Sequence, residues 1–238
     1  MKIFLIRYTK IVFTYLQLHR IFNLFGSFFL NLYYLTKFST WAYKNRKIAY
    51  NDFPSKWDYN KRYDFYKWVI DTENLSSTPI NYLEFGVCGG HSFRWFLQQN
   101  TNTQSRFYGF DTFTGLPEDF GPFKKGSMGT DNTIPDVEDD RATFYQGLFQ
   151  QTLTGFLPTL QNDKRNVLMM DADLYSATLY VLTSLGPFLK KGDIIFFDEF
   201  IVPRHEFKAF HDFLQAYYIP LTLIGAANNY YFTAFIVG

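Results

Sequence analysis

A single cysteine, Cys88, serves all 238 residues, so no intrachain disulfide can form and an extracellular, disulfide-stapled scaffold is excluded. Cys88 itself reads as a small residue in a tight turn. Net charge is nearly absent too: the formal value of +1 gives no reason to expect a nucleic-acid partner. Acid is missing altogether from residues 1–50, which carry eight Lys or Arg, whereas the other 188 residues carry 15 basic and 22 acidic side chains, a net of −7. Residues 21–36 hold no charge, but they fall short of the roughly 20 apolar residues that span a bilayer. Asn23, Gly26, Ser27 and Asn31 also interrupt them. A cleavable leader is not expected, because Arg7, Lys10 and Arg20 break any apolar core and no convincing cleavage site follows. No internal repeat or low-complexity tract is visible.

Aromatic residues, by contrast, are abundant at 21%. One core does not normally need so many, so some rings are expected at a second surface: a partner subunit, a lipid interface or an apolar substrate pocket. Two readings of residues 1–60, a basic and aromatic helical arm, stay open. Its helices could pack on the catalytic domain or on another subunit of a homo-oligomer, or residues 1–40 could make peripheral contact with an anionic membrane. The protein is accordingly expected in the cytoplasm, with membrane association as an option. Residues 61–238 have the length for one α/β domain.

Short apolar runs in that part read as buried parallel strands, and acids close them. Tyr82-Leu83 leads into Glu84 and Phe85, and Phe107 to Phe110 ends at Asp111. Val167 to Met170 ends at Asp171, and Ile194 to Phe197 ends at Asp198-Glu199. Thr143 to Gln146 reads as a further strand, and Leu221–Ile224 and Tyr231–Val237 as an antiparallel pair at one sheet edge. Helices are expected at Tyr63–Asp71, Ser92–Gln99, Leu153–Leu160, Tyr175–Leu185 and Phe207–Tyr218. Residues 112–140, rich in Gly, Pro and acids, read as a long insertion or lid.

Open α/β sheets bind ligands beyond the carboxyl ends of their strands. Asp171, Asp198 and Glu199 gathered there would repel one another unless a cation or shared proton intervened, and their oxygen donors suit a hard ion such as Mg²⁺. Asp173, two residues on, is expected to cap the helix that follows. The turn Gly86-Val87-Cys88-Gly89-Gly90 can bring backbone N–H groups to a ligand, but it is not the G-x-G-x-x-G fingerprint. Glu84 before it suits a ligand with a cationic or amine end, and Asp111 is placed to accept from ribose hydroxyls.

These residues resemble the macrocin O-methyltransferase family. The resemblance rests on Leu83-Glu84-Phe85-Gly86-Val87, Phe110-Asp111-Thr112-Phe113-Thr114-Gly115-Leu116-Pro117 and Gly147-Leu148-Phe149. It rests equally on Asp171-Ala172-Asp173-Leu174-Tyr175-Ser176-Ala177-Thr178 and Phe197-Asp198-Glu199-Phe200. It covers about residues 60–238. It implies a Rossmann-like class I methyltransferase fold with a seven-stranded, mostly parallel sheet and an antiparallel C-terminal hairpin. It also implies methyl transfer from S-adenosylmethionine to a hydroxyl of a small, often glycosylated acceptor.

Carried over, Asp171, Asp198 and Glu199 are the Mg²⁺ ligands. Glu84, Phe85, Gly86, Val87, Gly90 and Ser92 face the methionine part of the cofactor. Asp111 and Thr112 lie at its ribose, Gly147 and Phe149 near the adenine, and Asp171 borders cofactor and metal alike. Asp171 is the first expectation for the catalytic base, with His91 and His205 behind it. The chain departs from the family's usual G-V-W-R-G-G-S, reading Gly86-Val87-Cys88-Gly89-Gly90-His91-Ser92. A nicotinamide-dependent oxidoreductase and a non-catalytic, membrane-associated scaffold are the alternatives. The absent fingerprint and Glu84 speak against the first, and the intact acids against the second.

Overall fold

The computed structural model describes residues 2–238, which form two compact units, one running through Tyr43 and one from Lys44 to Gly238. Helices α1 (Lys2–Tyr15) and α2 (His19–Asn45) arise in the first. They are joined through Gln17, whose φ of 50° turns the chain out of the helical path. No helix among the described residues is long and apolar enough to cross a membrane.

The second unit is built on an eight-stranded sheet. Its strands are β1 (Tyr50–Asn51), β2 (Ile80–Phe85), β3 (Arg106–Asp111), β4 (Ala142–Gln146), β5 (Arg165–Met170), β6 (Ile194–Phe197), β7 (Leu221–Ala227) and β8 (Phe232–Val237). They lie in the order β1-β7-β8-β6-β5-β2-β3-β4. Seven are the expected strands. The eighth, β1, is a two-residue edge parallel to β7, too short to leave a periodic signal. β8 runs antiparallel to both β6 and β7, which makes the C-terminal hairpin. Every residue of β2 and β6 is buried, in keeping with strands covered on both faces.

The helices of this unit are α3 (Lys61–Thr72), α4 (His91–Gln99), α5 (Phe149–Phe156), α6 (Tyr175–Leu185) and α7 (Glu206–Tyr217). α5 starts four residues before its expected position. Gln151 folds back so that its Oε1 accepts from the Leu148 N–H at 3.1 Å, which fixes the earlier start. A 3₁₀ turn at Leu157–Thr159 then ends it, where Pro158 has no N–H for the α-ladder.

Register is what positions the site. Phe85 pairs with Phe110 on one side and with Met170 on the other, and Met170 pairs with Phe197. The carboxyl ends of β3, β2, β5 and β6 are therefore level, and their next residues, Gly86, Asp171 and Asp198, extend the ladder. Gly86 N–H donates to Phe110 O, Asp171 N–H to Phe85 O and Asp198 N–H to Met170 O, each at 3.0 Å. The chain moves outward from β2 to β4 and returns to β5 on the other side, so the topological switch lies between Gly86 and Asp171.

Candidate active site

A cavity of about 530 Å³ opens at this switch point, within the range usual for small-molecule sites. Gly86, Asp111, Thr112, Phe149, Asp171, Asp198 and Glu199 all border it, so one space gathers residues from four strand ends and from α5. Gly86 has no substitute here: its φ is +100°, and a Cβ would stand 1.8 Å from the Asp171 carbonyl oxygen. Asp111 holds the turn from the neighbouring strand. One of its oxygens accepts from the Cys88 N–H and the other from the Phe113 N–H, both at 2.7 Å. Cys88 sits in the turn at a left-handed φ of 48°, exposed at the edge of the cavity.

The other predicted cofactor residues stand behind this wall. Glu84 is fully buried and does not border the cavity; its carboxyl accepts from Tyr82 Oη and from Ser92 Oγ, both at 2.6 Å. Burial pushes its pKa up to about 7, against the pull of those two hydroxyls. Phe85 is buried and packs edge-on against Phe149, which does reach the cavity. Val87 is buried, and Gly90 takes a left-handed φ of 75° beside Pro135 of the 112–140 segment. Gly147 donates its N–H to Asp111 O at 2.9 Å and so ties the α5 entry to β3. His91 is exposed at the start of α4, away from the cavity lining. His205 is also outside the lining, with its ring against Phe120.

The 112–140 segment contains no helix or strand among the described residues beyond the isolated pairing of Phe120 with Phe123. It is nevertheless anchored. Leu116 and Phe120 pack with Leu174, and Thr112 Oγ1 donates to Gly115 O at 2.9 Å. Leu116, Glu118 and Met128 from this segment form part of the cavity wall.

Charge is the dominant feature of that wall. Asp171 is pushed well above the carboxylate range by burial, then by Asp198 and Asp173. Asp173 is raised to about 7 by burial, then by Asp198 and Asp111, and Glu199 to about 7 by burial, then by Asp173 and Asp198. Burial also raises Asp198, which has a compensating cation: Arg62 Nη1 stands 3.6 Å from its Oδ2, while Tyr66 Oη donates to Oδ1 at 2.6 Å. Behind Glu199, the fully buried Glu206 accepts the Glu199 N–H at 3.0 Å, and its other oxygen has no partner.

The donor chemistry fits a hard cation, since six carboxylates line the cavity, Asp171, Asp173, Asp198 and Glu199 at the ends of β5 and β6 among them, and the Arg62 guanidinium stands against Asp198. Even so, the side chains are not drawn together into a ligating cluster: among the described residues no three His, Cys, Asp or Glu form such a group.

Several contributors went unforeseen. Tyr59 borders the cavity, and Arg62 lies over its ring at 4.1 Å and donates to its hydroxyl at 2.5 Å. Tyr59, Arg62 and Tyr66 recur at three- and four-residue spacing around the start of α3, which is the only trace they leave in the chain. Asp173 does not cap α6. Its φ of 55° turns it into the cavity wall, and Leu174 takes the N-cap position without a side-chain bond.

The strand order, the antiparallel C-terminal hairpin and the cavity at the switch point are those of a Rossmann-like class I methyltransferase fold. Residues 83–200 match the family model described as a methyltransferase domain. That span takes in the carboxyl ends of β2, β3, β5 and β6 and the acids that follow them. It is 35% identical over 78 residues to the mycinamicin III 3''-O-methyltransferase of Micromonospora griseorubida, a match spanning 31% of this chain and 29% of that relative's length. Among solved structures, CalS11, a calicheamicin methyltransferase, superposes with a TM-score of 0.56 at 22% identity. The O-methyltransferase NovP does so with 0.53 at 19%, each covering 75% of this chain and 78% of the other. A CmcI structure carrying Mg and SAM superposes with 0.50 at 19% identity, over 84% of both chains. At these identities the likeness is one of fold.

Proposed function

We propose that this protein transfers the methyl group of S-adenosylmethionine to a hydroxyl of a small acceptor, a sugar, glycoside or other polyol, with assistance from a divalent metal. The observation that carries the reading is the acid-lined cavity at the switch point, bordered by Gly86, Asp111 and Phe149 on one side and by Asp171, Asp198 and Glu199 on the other. Such a cavity favours a cationic ligand, and the cofactor brings both an ammonium and a sulfonium group. Gly86 to Gly90 would receive the methionine part, Asp111 and Thr112 the ribose, and Gly147 and Phe149 the adenine. Glu84 and Ser92 support the turn from behind through their mutual hydrogen bond.

Asp171, Asp198 and Glu199 would hold Mg²⁺, which would supply Lewis acidity toward the acceptor hydroxyl. Asp171 lines the cavity and would border the metal, whose charge favours its ionised form, so it is the group to accept the hydroxyl proton. Arg62 and Tyr66 keep Asp198 oriented, and the anchored 112–140 segment walls the space from water. Positioning and electrostatics then carry most of the rate.

Calorimetric titration of the full chain with S-adenosylhomocysteine, with and without Mg²⁺, tests this reading. Micromolar binding is expected. Folded protein that binds the nucleoside in neither condition would eliminate the methyltransferase reading and favour a non-catalytic scaffold.

A further inference from the structure

The first unit has an unusual surface of its own. α1 buries no residue. Phe4, Tyr8, Ile11 and Tyr15 recur along one side of it, whereas Arg7, Lys10 and Thr14 lie on another. In α2, Ile21, Leu24, Phe25, Phe28, Leu32 and Leu35 share one side, Arg20, Asn23, Ser27 and Asn31 form a narrow polar stripe beside it, and the exposed Phe22, Phe29, Leu30 and Tyr33 continue the apolar surface beyond that stripe. These apolar faces are open to solvent: Phe4 is 74% exposed, Leu24 78% and Phe28 65%. A contiguous apolar surface of this extent marks an interaction site.

We propose that α1 and the first half of α2 lie in the plane of a lipid surface rich in anionic headgroups, with their apolar faces in the acyl boundary. Charge chooses the partner. Residues 1–50 carry eight Lys or Arg and no acid, so the arm of a second copy would bring like charges together, while anionic headgroups meet opposite ones. Length chooses the mode of binding. The 14 residues of α1 extend about 21 Å, and residues 21–36 about 24 Å, both less than the roughly 30 Å hydrocarbon core. α1 and the charge-free stretch of α2, joined through Gln17 and edged by basic and polar residues, match an in-plane arrangement.

The test is sedimentation of the full chain with vesicles of phosphatidylcholine alone and of phosphatidylcholine with phosphatidylserine. Binding to the anionic vesicles should be at least about tenfold tighter than to the neutral ones and should weaken as salt is raised. The pair Arg7→Gln and Lys10→Gln should cost about fivefold per cation removed. The pair Phe25→Ser and Phe28→Ser should cost about tenfold or more through lost apolar burial, with circular dichroism checking that the fold is intact. Equal binding to both vesicles, binding to neither, or anionic binding that survives both pairs would overturn the proposal. Binding to neither, together with an arm-dependent dimer in sedimentation velocity, would assign the apolar faces to a second copy.

Discussion

Replacing Glu84 with Gln tests whether the carboxyl behind the glycine turn is held as a neutral acid. The side chain is fully buried, and its two oxygens receive hydroxyls at 2.6 Å from Tyr82 and Ser92. Burial raises its pKa from 4.5 to about 7. Between those values the folded chain keeps a proton that the unfolded chain has released. Stability is therefore full below about pH 4.5, falls as pH rises toward about 7, and levels off above that. The interval of about 2.5 pH units is worth about 3 kcal/mol at 1.36 kcal/mol per unit.

Gln has nearly the same shape, can still engage both hydroxyls, and cannot ionise. Relative to wild type, Glu84→Gln should gain about 3 kcal/mol between acid and mildly alkaline pH. Asp173 and Glu199, also raised to about 7, tilt both proteins in the same way and drop out of the difference. Urea unfolding followed by tryptophan fluorescence across that range reads it directly. Parallel curves for the two proteins would show that Glu84 is ionised in the folded state and would refute the reasoning.

Gly86→Ala should weaken S-adenosylhomocysteine binding by tenfold or more in calorimetry, because the new Cβ would drive the turn away from the Asp171 carbonyl, and should lower stability by about 1–3 kcal/mol. Arg62→Leu removes the guanidinium facing Asp198 while leaving that carboxyl buried, so a loss of roughly 3–5 kcal/mol is expected in thermal melts at neutral pH. The loss should shrink on acidification, since Asp198 then takes up a proton and needs no counter-charge. Mg²⁺ binding should release protons near pH 7, because a cation lowers the pKa values of Asp173 and Glu199 from about 7. Calorimetry in buffers of different ionisation enthalpy measures this, and a heat independent of buffer would contradict it.

The carboxylates at the strand ends were legible because buried parallel strands are continuous apolar runs, and the first polar residue after each run must lie at the sheet's rim. Asp171 and Asp198 follow from that rule alone, and the level register of β2, β5 and β6 brings them together. Glu84 was legible as a position but not as an environment. It belongs to β2 itself, so the pleat turns it inward to Ser92 while Gly86, past the strand's end, meets the cavity. Asp173 was misread for a backbone reason: one left-handed residue moves the start of α6 on to Leu174, and no composition signal marks that step.

Arg62 was hidden more deeply. In the chain it is one cation in a polar stretch before a helix, and it becomes Asp198's counter-ion only because α3 packs against β7 and β8, beside the strand whose end carries that acid. The consequence is asymmetric. Asp198 reaches the cavity with a cation beside it, although burial still raises its proton affinity, whereas Asp171, Asp173 and Glu199 face it with raised proton affinities and, among the described residues, no paired cation. Two of those three acids, Asp171 and Asp173, follow β5 on the side of the cavity next to Gly86, where the fold also has its switch point.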